Sequence, residues 1–241
     1  MNLILLNRQD QWLNPSVVRL DGRRAAHICD VLRASIGDCL RVGLRDGLTG
    51  SATIEAIQDG QVQLHVCLTE PPPTRHPLDI VLALPRPKML RRILRIVAEF
   101  GVSNLHLINS ARVEKSFWQS PLLQPELIEA ALEEGLERSR DTVMPKVHQH
   151  RRFRPFVEDD LVDLCAGRPC WIAHPGCSAM TPTAHQPGVV MIGPEGGFVP
   201  FEVNLVERVV ARRLNLGERI LSVDTALTCV LAQCESVFLA V

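Results

Sequence analysis

Four prolines, Pro71, Pro72, Pro73 and Pro77, fall within the stretch Glu70-Pro71-Pro72-Pro73-Thr74-Arg75-His76-Pro77. Each fixes φ and lacks an N–H, so neither a helix nor a central strand can run through them. Residues 70–77 therefore read as a stiff linker. The hydrophobic pattern changes across it, which divides the 241 residues into a domain over 1–69 and another over 78–241.

Before the linker the chain reads as short strands at Leu3–Leu6, Ser16–Leu20, Cys39–Leu44, Ser51–Ile57 and Gln61–Leu68. Asp21-Gly22, Asp46-Gly47 and Asp59-Gly60 are turn signals between them, and the spacing predicts a small β-barrel. One helical insertion is expected over Arg24–Arg33.

After the linker strands alternate with helices, the pattern of an α/β domain with a parallel sheet. The expected order is strand Asp79–Leu84, helix Met89–Phe100, strand Asn104–Ile108, helix Gln124–Arg138, an amphipathic segment near Val157–Ala166 and strand Cys170–Ala173. The apolar run Val189-Val190-Met191-Ile192 then stops at Gly193-Pro194-Glu195-Gly196-Gly197, and helix periodicity begins at Phe201. A strand-like Arg213–Gly217 follows, and the last helix carries its apolar face on Leu227, Val230, Leu231, Cys234, Val237 and Phe238, with Ser222 or Asp224 as its cap. The glycine loop is neither GxGxxG nor GxxxxGK, so the usual dinucleotide and P-loop readings lose their support. Its glycines still let a ligand approach the main chain without a Cβ in the way, at a strand's carboxyl end where α/β proteins bind ligands.

Charge narrows the partners. The net charge is −1, yet Arg86, Lys88, Arg91, Arg92 and Arg95 form one acid-free cluster. Arg138, Arg140, Lys146, Arg151, Arg152 and Arg154 form another against Asp141 alone. Such clusters suit a limited phosphate-binding surface, and solvated helix faces are the alternative for either one. With seven Phe, three Trp and no Tyr, an aromatic platform for stacked bases is not expected. The eight cysteines, Cys177 among them, contain no CxxC spacing, so no zinc site is expected and most read as small core residues. No apolar run approaches ~18 residues and no secretory leader is evident, so a cytoplasmic protein with no membrane partner is expected.

The order IGPEGG (192–197), LGERIL (216–221) and DTAL (224–227) resembles the SPOUT methyltransferases, and most closely their RsmE branch. The phrase HIxxVLRxxxGD over 27–38 resembles the opening of the same proteins. The resemblance implies a trefoil-knotted parallel-sheet domain behind a PUA-like RNA-binding barrel, S-adenosylmethionine as cofactor without a metal, and a homodimer. It implies methyl transfer to N3 of a uridine in the decoding-region helix of 16S rRNA, with the small ribosomal subunit as partner. Another SPOUT activity, such as ribose 2′-O methylation, and a non-catalytic RNA-binding role are the alternatives.

What the resemblance implies for residues is specific. Cofactor contacts fall on His174, Ile192, Gly193, Glu195, Gly196, Gly197, Leu216, Gly217, Ile220, Leu221 and Ser222. Gly196 is the expected point of closest approach of ligand to backbone. A positive group facing the developing uridine anion, or a carboxylate taking its proton, points to Arg86, Glu195 and Asp224. RNA contacts fall on Arg33, Lys88, Arg91 and Arg140, and His27 either joins them or is simply packed. Six departures from the family's phrases accompany these assignments: Arg140 stands at a usual glycine and Asp141 at the next arginine, Ile96 where a lysine is frequent, Ser222 where arginine is common, Asp224 where glutamate is usual, and Val199-Pro200 where a serine usually caps the helix.

Overall fold

The structure, a computed structural model, describes residues 2–176 and 186–235. Cys177, Val237 and Phe238 lie outside the described residues. Two compact units partition the chain.

The first unit comprises Met1–Thr74 and Glu133–Met144. Its strands are β1 (Ile4–Leu6), β2 (Gln11–Asn14), β3 (Val17–Leu20), β4 (Cys39–Leu44), β5 (Thr49–Gln58) and β6 (Gln61–Glu70). They form one sheet in the order β1-β4-β5-β6-β3-β2, antiparallel except for the parallel β1/β4 pair. Alternation does the work expected of it: Ala52 and Ile54, Val62, Leu64 and Val66 point into one core with Ile4, Leu6, Val18, Leu20 and Val42. Asp21-Gly22 is not a hairpin turn. It opens the helix α1 (Gly22–Ala26), which runs on through a wider turn over His27–Val31 and inserts Ala25 and Ile28 into that core, leaving His27 half-buried.

The return of Glu133–Met144 to this unit was not expected from a division at 70–77. The Glu137 carboxylate accepts two hydrogen bonds from Arg23 at 3.0 and 2.8 Å, and its carbonyl accepts from the N–H groups of Asn2 and Leu3. Thr142 Oγ1 donates to the Gly47 carbonyl at 2.6 Å, and the Met144 N–H donates to Asp46 Oδ1 at 2.9 Å. Arg140 sits at φ +62°, in the left-handed region. Glycine at this position relieves the Cβ penalty, so Arg140→Gly should raise unfolding free energy by about 0.5–1 kcal/mol in urea titrations, the relieved strain exceeding the entropy glycine adds to the unfolded chain.

The second unit comprises Arg75–Leu132 and Pro145–Val241. Its strands are β7 (Leu78–Ala83), β8 (Asn104–Ile108), β9 (Lys146–His150), β10 (Cys170–Ala173), β11 (Gly188–Ile192) and β12 (Ala211–Leu214). They make a fully parallel sheet in the order β12-β10-β11-β7-β8-β9. The helices are α2 (Pro87–Glu99), α3 (Pro125–Ser139), which passes from this unit into the first, α4 (Phe153–Pro155), α5 (Leu161–Cys165), α6 (Pro200–Val209) and α7 (Val223–Glu235). Every residue of β7 and β11 is buried, as a strand covered on both faces requires. The one charge on β7, Asp79, is held by Arg168 at 2.7 Å and by the Asn104 amide at 2.8 Å.

Two of the differences from expectation, the end of β12 and the presence of β9, have local reasons. Strand β12 ends at Leu214, not Gly217, because the Asn215 side chain accepts the Gly217 N–H at 3.0 Å and turns the chain. Strand β9 falls inside what reads as a basic run. As an edge strand it needs only one apolar face, so Lys-Val-His-Gln-His carries no apolar signature.

At that edge three histidines meet. The His106 ring on β8 stacks on His148 at 4.4 Å between centroids and lies 5.3 Å from His150, with Nδ1 3.1 Å from His150 Nε2. His150 in turn packs on Phe156 and faces Asp160 at 3.5 Å. His106 is 7% exposed, and its Nε2 has no hydrogen-bond partner among the described residues. Burial, then the neighbouring His148 and His150, lowers its pKa to about 4, with Asp79 opposing. Among the described residues no group of three or more His, Cys, Asp or Glu side chains could hold a metal ion, and no helix is long and apolar enough to cross a membrane.

Candidate functional site

The carboxyl ends of β10, β11 and β12 point the same way because the strands are parallel, so their three following loops converge. Between them lies a pocket of ≈ 240 Å³ lined by Ala173–Pro175, Ile192–Gly197, Leu214–Gly217, Arg219–Leu221, and Val223 and Ala226 from α7. Local chemistry shapes each wall. The His174 N–H donates to the Leu214 carbonyl at 3.0 Å, tying the first loop to β12. The glycine loop closes through the Gly197 N–H on the Pro194 carbonyl at 2.7 Å, with Gly197 at φ +71°. Among the described residues no atom lies within 4 Å of where a Cβ would stand on Gly197 or Gly217, so both leave backbone open to a ligand. Gly193 is different: a Cβ there would stand 3.1 Å from Phe198 N and 3.2 Å from Phe198 Cδ2, so this glycine is dictated by the loop's own folding.

The helix after the loop lacks a serine cap, and Glu202 supplies the missing contacts. This buried carboxylate accepts the Val199 N–H at 2.9 Å and the Ala111 N–H at 2.7 Å, fastening the start of α6 to the loop after β8. Pro200 occupies the first turn, where its missing N–H costs nothing.

Of the residues expected to contact a cofactor, His174, Ile192, Gly193, Glu195, Gly196, Gly197, Leu216, Gly217, Ile220 and Leu221 all line this pocket. Ser222 does not. Its hydroxyl turns to Asp224 Oδ1 at 2.5 Å and Thr225 Oγ1 at 2.8 Å, and its carbonyl accepts the Ala226 N–H as α7 begins. Gly196 also departs from expectation. A Cβ there would meet Arg112 Cδ at 3.0 Å, and the Gly196 carbonyl accepts a hydrogen bond from the Arg112 guanidinium, so its bare side accommodates that arginine.

The three residues expected to take part in chemistry fall into two ion pairs. Arg86, just ahead of α2, stands 3.4 Å from Glu195 in the glycine loop, both side chains being substantially exposed. Asp224, only 6% exposed, receives Arg92 of α2 at 3.1 Å as well as Ser222. The Ser222 hydroxyl, then Arg92, holds the Asp224 carboxyl below the usual carboxylate range against the effect of burial. Lys88 and Arg91 are exposed on α2, whereas Arg33 and Arg140 are exposed in the first unit, both at positive φ. Arg92, Arg112 and the pocket-lining Arg219 are additional to the expected set. A basic residue just past a parallel strand, as Arg112 is past β8, was the available signal.

The RNA methyltransferase domain family matches residues 72–235, and the RNA methyltransferase PUA domain family matches residues 20–67. Ribosomal RNA small subunit methyltransferase E of Treponema pallidum is 29% identical over 250 residues, covering 94% of this chain and 87% of its own. The protein of the same name from Mycobacterium bovis is 26% identical, covering 88% and 83%. Among solved structures, the Neisseria gonorrhoeae ribosomal RNA small subunit methyltransferase E bound to S-adenosyl methionine superposes with a TM-score of 0.74 at 18% identity, covering 96% of this chain and 95% of that one. A putative methyltransferase of Legionella pneumophila in complex with the same cofactor superposes at 0.72 with 22% identity, covering 96% of each chain. Glycine loop, converging strand ends and family match agree: the chain belongs to the RNA methyltransferase family, and the relatives named here carry the RsmE name.

Proposed function

We propose that this protein transfers the methyl group of S-adenosylmethionine to N3 of a uridine in the decoding-region helix of 16S rRNA, with the small ribosomal subunit as substrate. The observation that carries the reading is the pocket made by three loops at the carboxyl ends of β10, β11 and β12, in a chain whose relatives carry the name of a small-subunit ribosomal RNA methyltransferase. Pocket and cofactor match in kind. Ile192, Leu216, Ile220 and Leu221 offer apolar walls to an adenine, and the Gly197 and Gly217 carbonyls, whose N–H groups are engaged within their own turns, can accept hydrogen bonds with no Cβ in the way. Bound there, the sulfonium supplies a methyl group already activated for transfer, so the protein's work is alignment and charge.

In this reading residues 1–69 present the RNA-binding surface through Arg33, with Arg140 beside them in sequence-distant support, while Lys88 and Arg91 meet phosphate from α2. The working form is a cytoplasmic homodimer whose catalytic domain, 78–241, carries a trefoil knot. Incubating the protein and S-adenosylmethionine with small subunits that lack the modification, then digesting the rRNA for nucleoside mass spectrometry, should give new 3-methyluridine. A 2′-O-methylated nucleoside in its place would transfer the reading to another acceptor.

Arg86 bears on the chemistry through Glu195. The pair is exposed, so its loss should leave thermal stability almost unaltered, within ~1 kcal/mol. Arg86→Ala should lower methyl transfer by roughly 10–100-fold while altering cofactor affinity much less, measured by turnover on subunits and by calorimetry. An unchanged rate would remove Arg86 from the mechanism.

A further inference from the structure

Arg92 stands in an unusual setting. Its guanidinium lies 3.1 Å from Asp224, and it has no other partner among the described residues. Its side chain is 62% exposed while that of Asp224 is 8% exposed, so a buried carboxylate fixes one end of an accessible cation. The second carboxylate oxygen is taken by the Ser222 hydroxyl at 2.5 Å. Leu221 and Val223, on either side of Ser222, both line the pocket, and Ala226 one turn later does too. The cation is thus anchored to the same turn that walls the pocket, and its guanidinium remains accessible.

We infer that Arg92 is a catalytic residue of the acceptor side, aimed by the Asp224–Ser222 pair at the charge that develops on the acceptor base. The inference rests on the proposed transfer to a uridine imide. The balance of that reaction requires such a group. The N3 proton passes to water, the nitrogen's electron pair forms the bond to the methyl carbon, and the carbon–sulfur bond breaks with its pair going to sulfur. Between loss of the proton and bond formation the base carries a full negative charge spread over O2, N3 and O4. A guanidinium is planar, stays protonated and can donate to a carbonyl oxygen, and closing RNA over it lowers the local dielectric and strengthens the attraction. Asp224 is then a positioning residue. Both of its oxygens are engaged and its carboxyl is held ionised, so it is poorly placed to take the proton itself.

The test uses the full-length protein, small subunits lacking the modification, and three variants. Arg92→Ala should lower kcat by ~10²-fold with the subunit KM and cofactor affinity little changed. Its rate should keep rising with pH beyond the point at which the wild type levels off, and added guanidinium ion should restore part of it. Asp224→Asn should show a smaller loss of the same kind, and Asp224→Glu should recover activity. A readout without the methyl donor separates this from folding effects. Subunits bearing 5-fluorouridine, whose imide is more acidic, should bind the wild type more tightly as pH rises from 7 to 9, and the Arg92→Ala variant should lose that tightening. A raised KM with unchanged kcat would make Arg92 a phosphate contact and overturn the inference, as would a lowered kcat with the wild-type pH profile and no rescue. If the wild type itself forms no 3-methyluridine, it is the functional reading that has failed, and the variants are then not its test.

Discussion

A Gly193→Val protein should bind S-adenosylmethionine roughly 100-fold more weakly than the wild type while remaining folded. The added Cβ would stand 3.1 Å from a backbone nitrogen, that of Phe198, and 3.4 Å from the Gly197 carbonyl carbon. Neither can swing aside as a side-chain tip could. Phe198 is itself buried at 4% exposure and packs 6.0 Å from Phe153, so the strain falls on the turn Gly193–Gly197 and not on the core behind it. Forcing carbon into a packed site costs 1–3 kcal/mol, and a loop that relieves about 3 kcal/mol by moving out of position forfeits about two decades of affinity. Gly196→Val should cost far less, because its Cβ would meet only the flexible Arg112 side chain. Calorimetric titration of both variants decides the matter, and equal losses would mean that the loop's shape is not what the ligand reads.

The second large effect is on stability. Between pH 7 and pH 4 the unfolding free energy should fall by up to about 3 kcal/mol through His106 alone. The folded-state pKa is about 4 and the ordinary value is 6.5, so between those limits the unfolded chain binds a proton that the native protein excludes. Stability from this source is complete above pH 6.5 and is lost as pH falls toward 4. His148 and His150 stack against the ring and would repel its charge, and only Asp79 favours it. Urea unfolding across this range should therefore give a shallower pH dependence for His106→Phe, which keeps the stack and cannot titrate. Parallel curves for the two proteins would place the acid sensitivity elsewhere.

The parts of the fold legible in the sequence are those governed by neighbours along the chain. The strand-to-helix turn at Gly193–Gly197 was readable because a β run, a glycine cluster and a helix period abut. Strands β4, β8 and β10 match their expected limits because each is bounded by turn residues or strong burial. Ten of the eleven expected cofactor positions line the pocket, since consecutive loop residues cannot escape one another. Ser222 escaped because one hydroxyl chose a carboxylate two residues on. The rest depended on partners distant in sequence. Arg112 meets Gly196 across 84 positions and Arg92 meets Asp224 from another helix, and neither leaves a periodic trace. Strands β2 and β9 are edges, whose half-exposed residues look like loop.

One feature bears on how the chain is made. The first unit includes Glu133–Met144, and the N–H groups of Asn2 and Leu3, which lead into its first strand, end on the Glu137 carbonyl. When the first 74 residues have left the ribosome, that acceptor and the Thr142 clasp on Gly47 have yet to be synthesised. The amino-terminal sheet must therefore wait, incompletely fastened, while the next 70 residues, 75–144, are translated. Domains commonly fold in order of emergence, yet here the first unit closes only after β7, α2 and β8 of the second have been made.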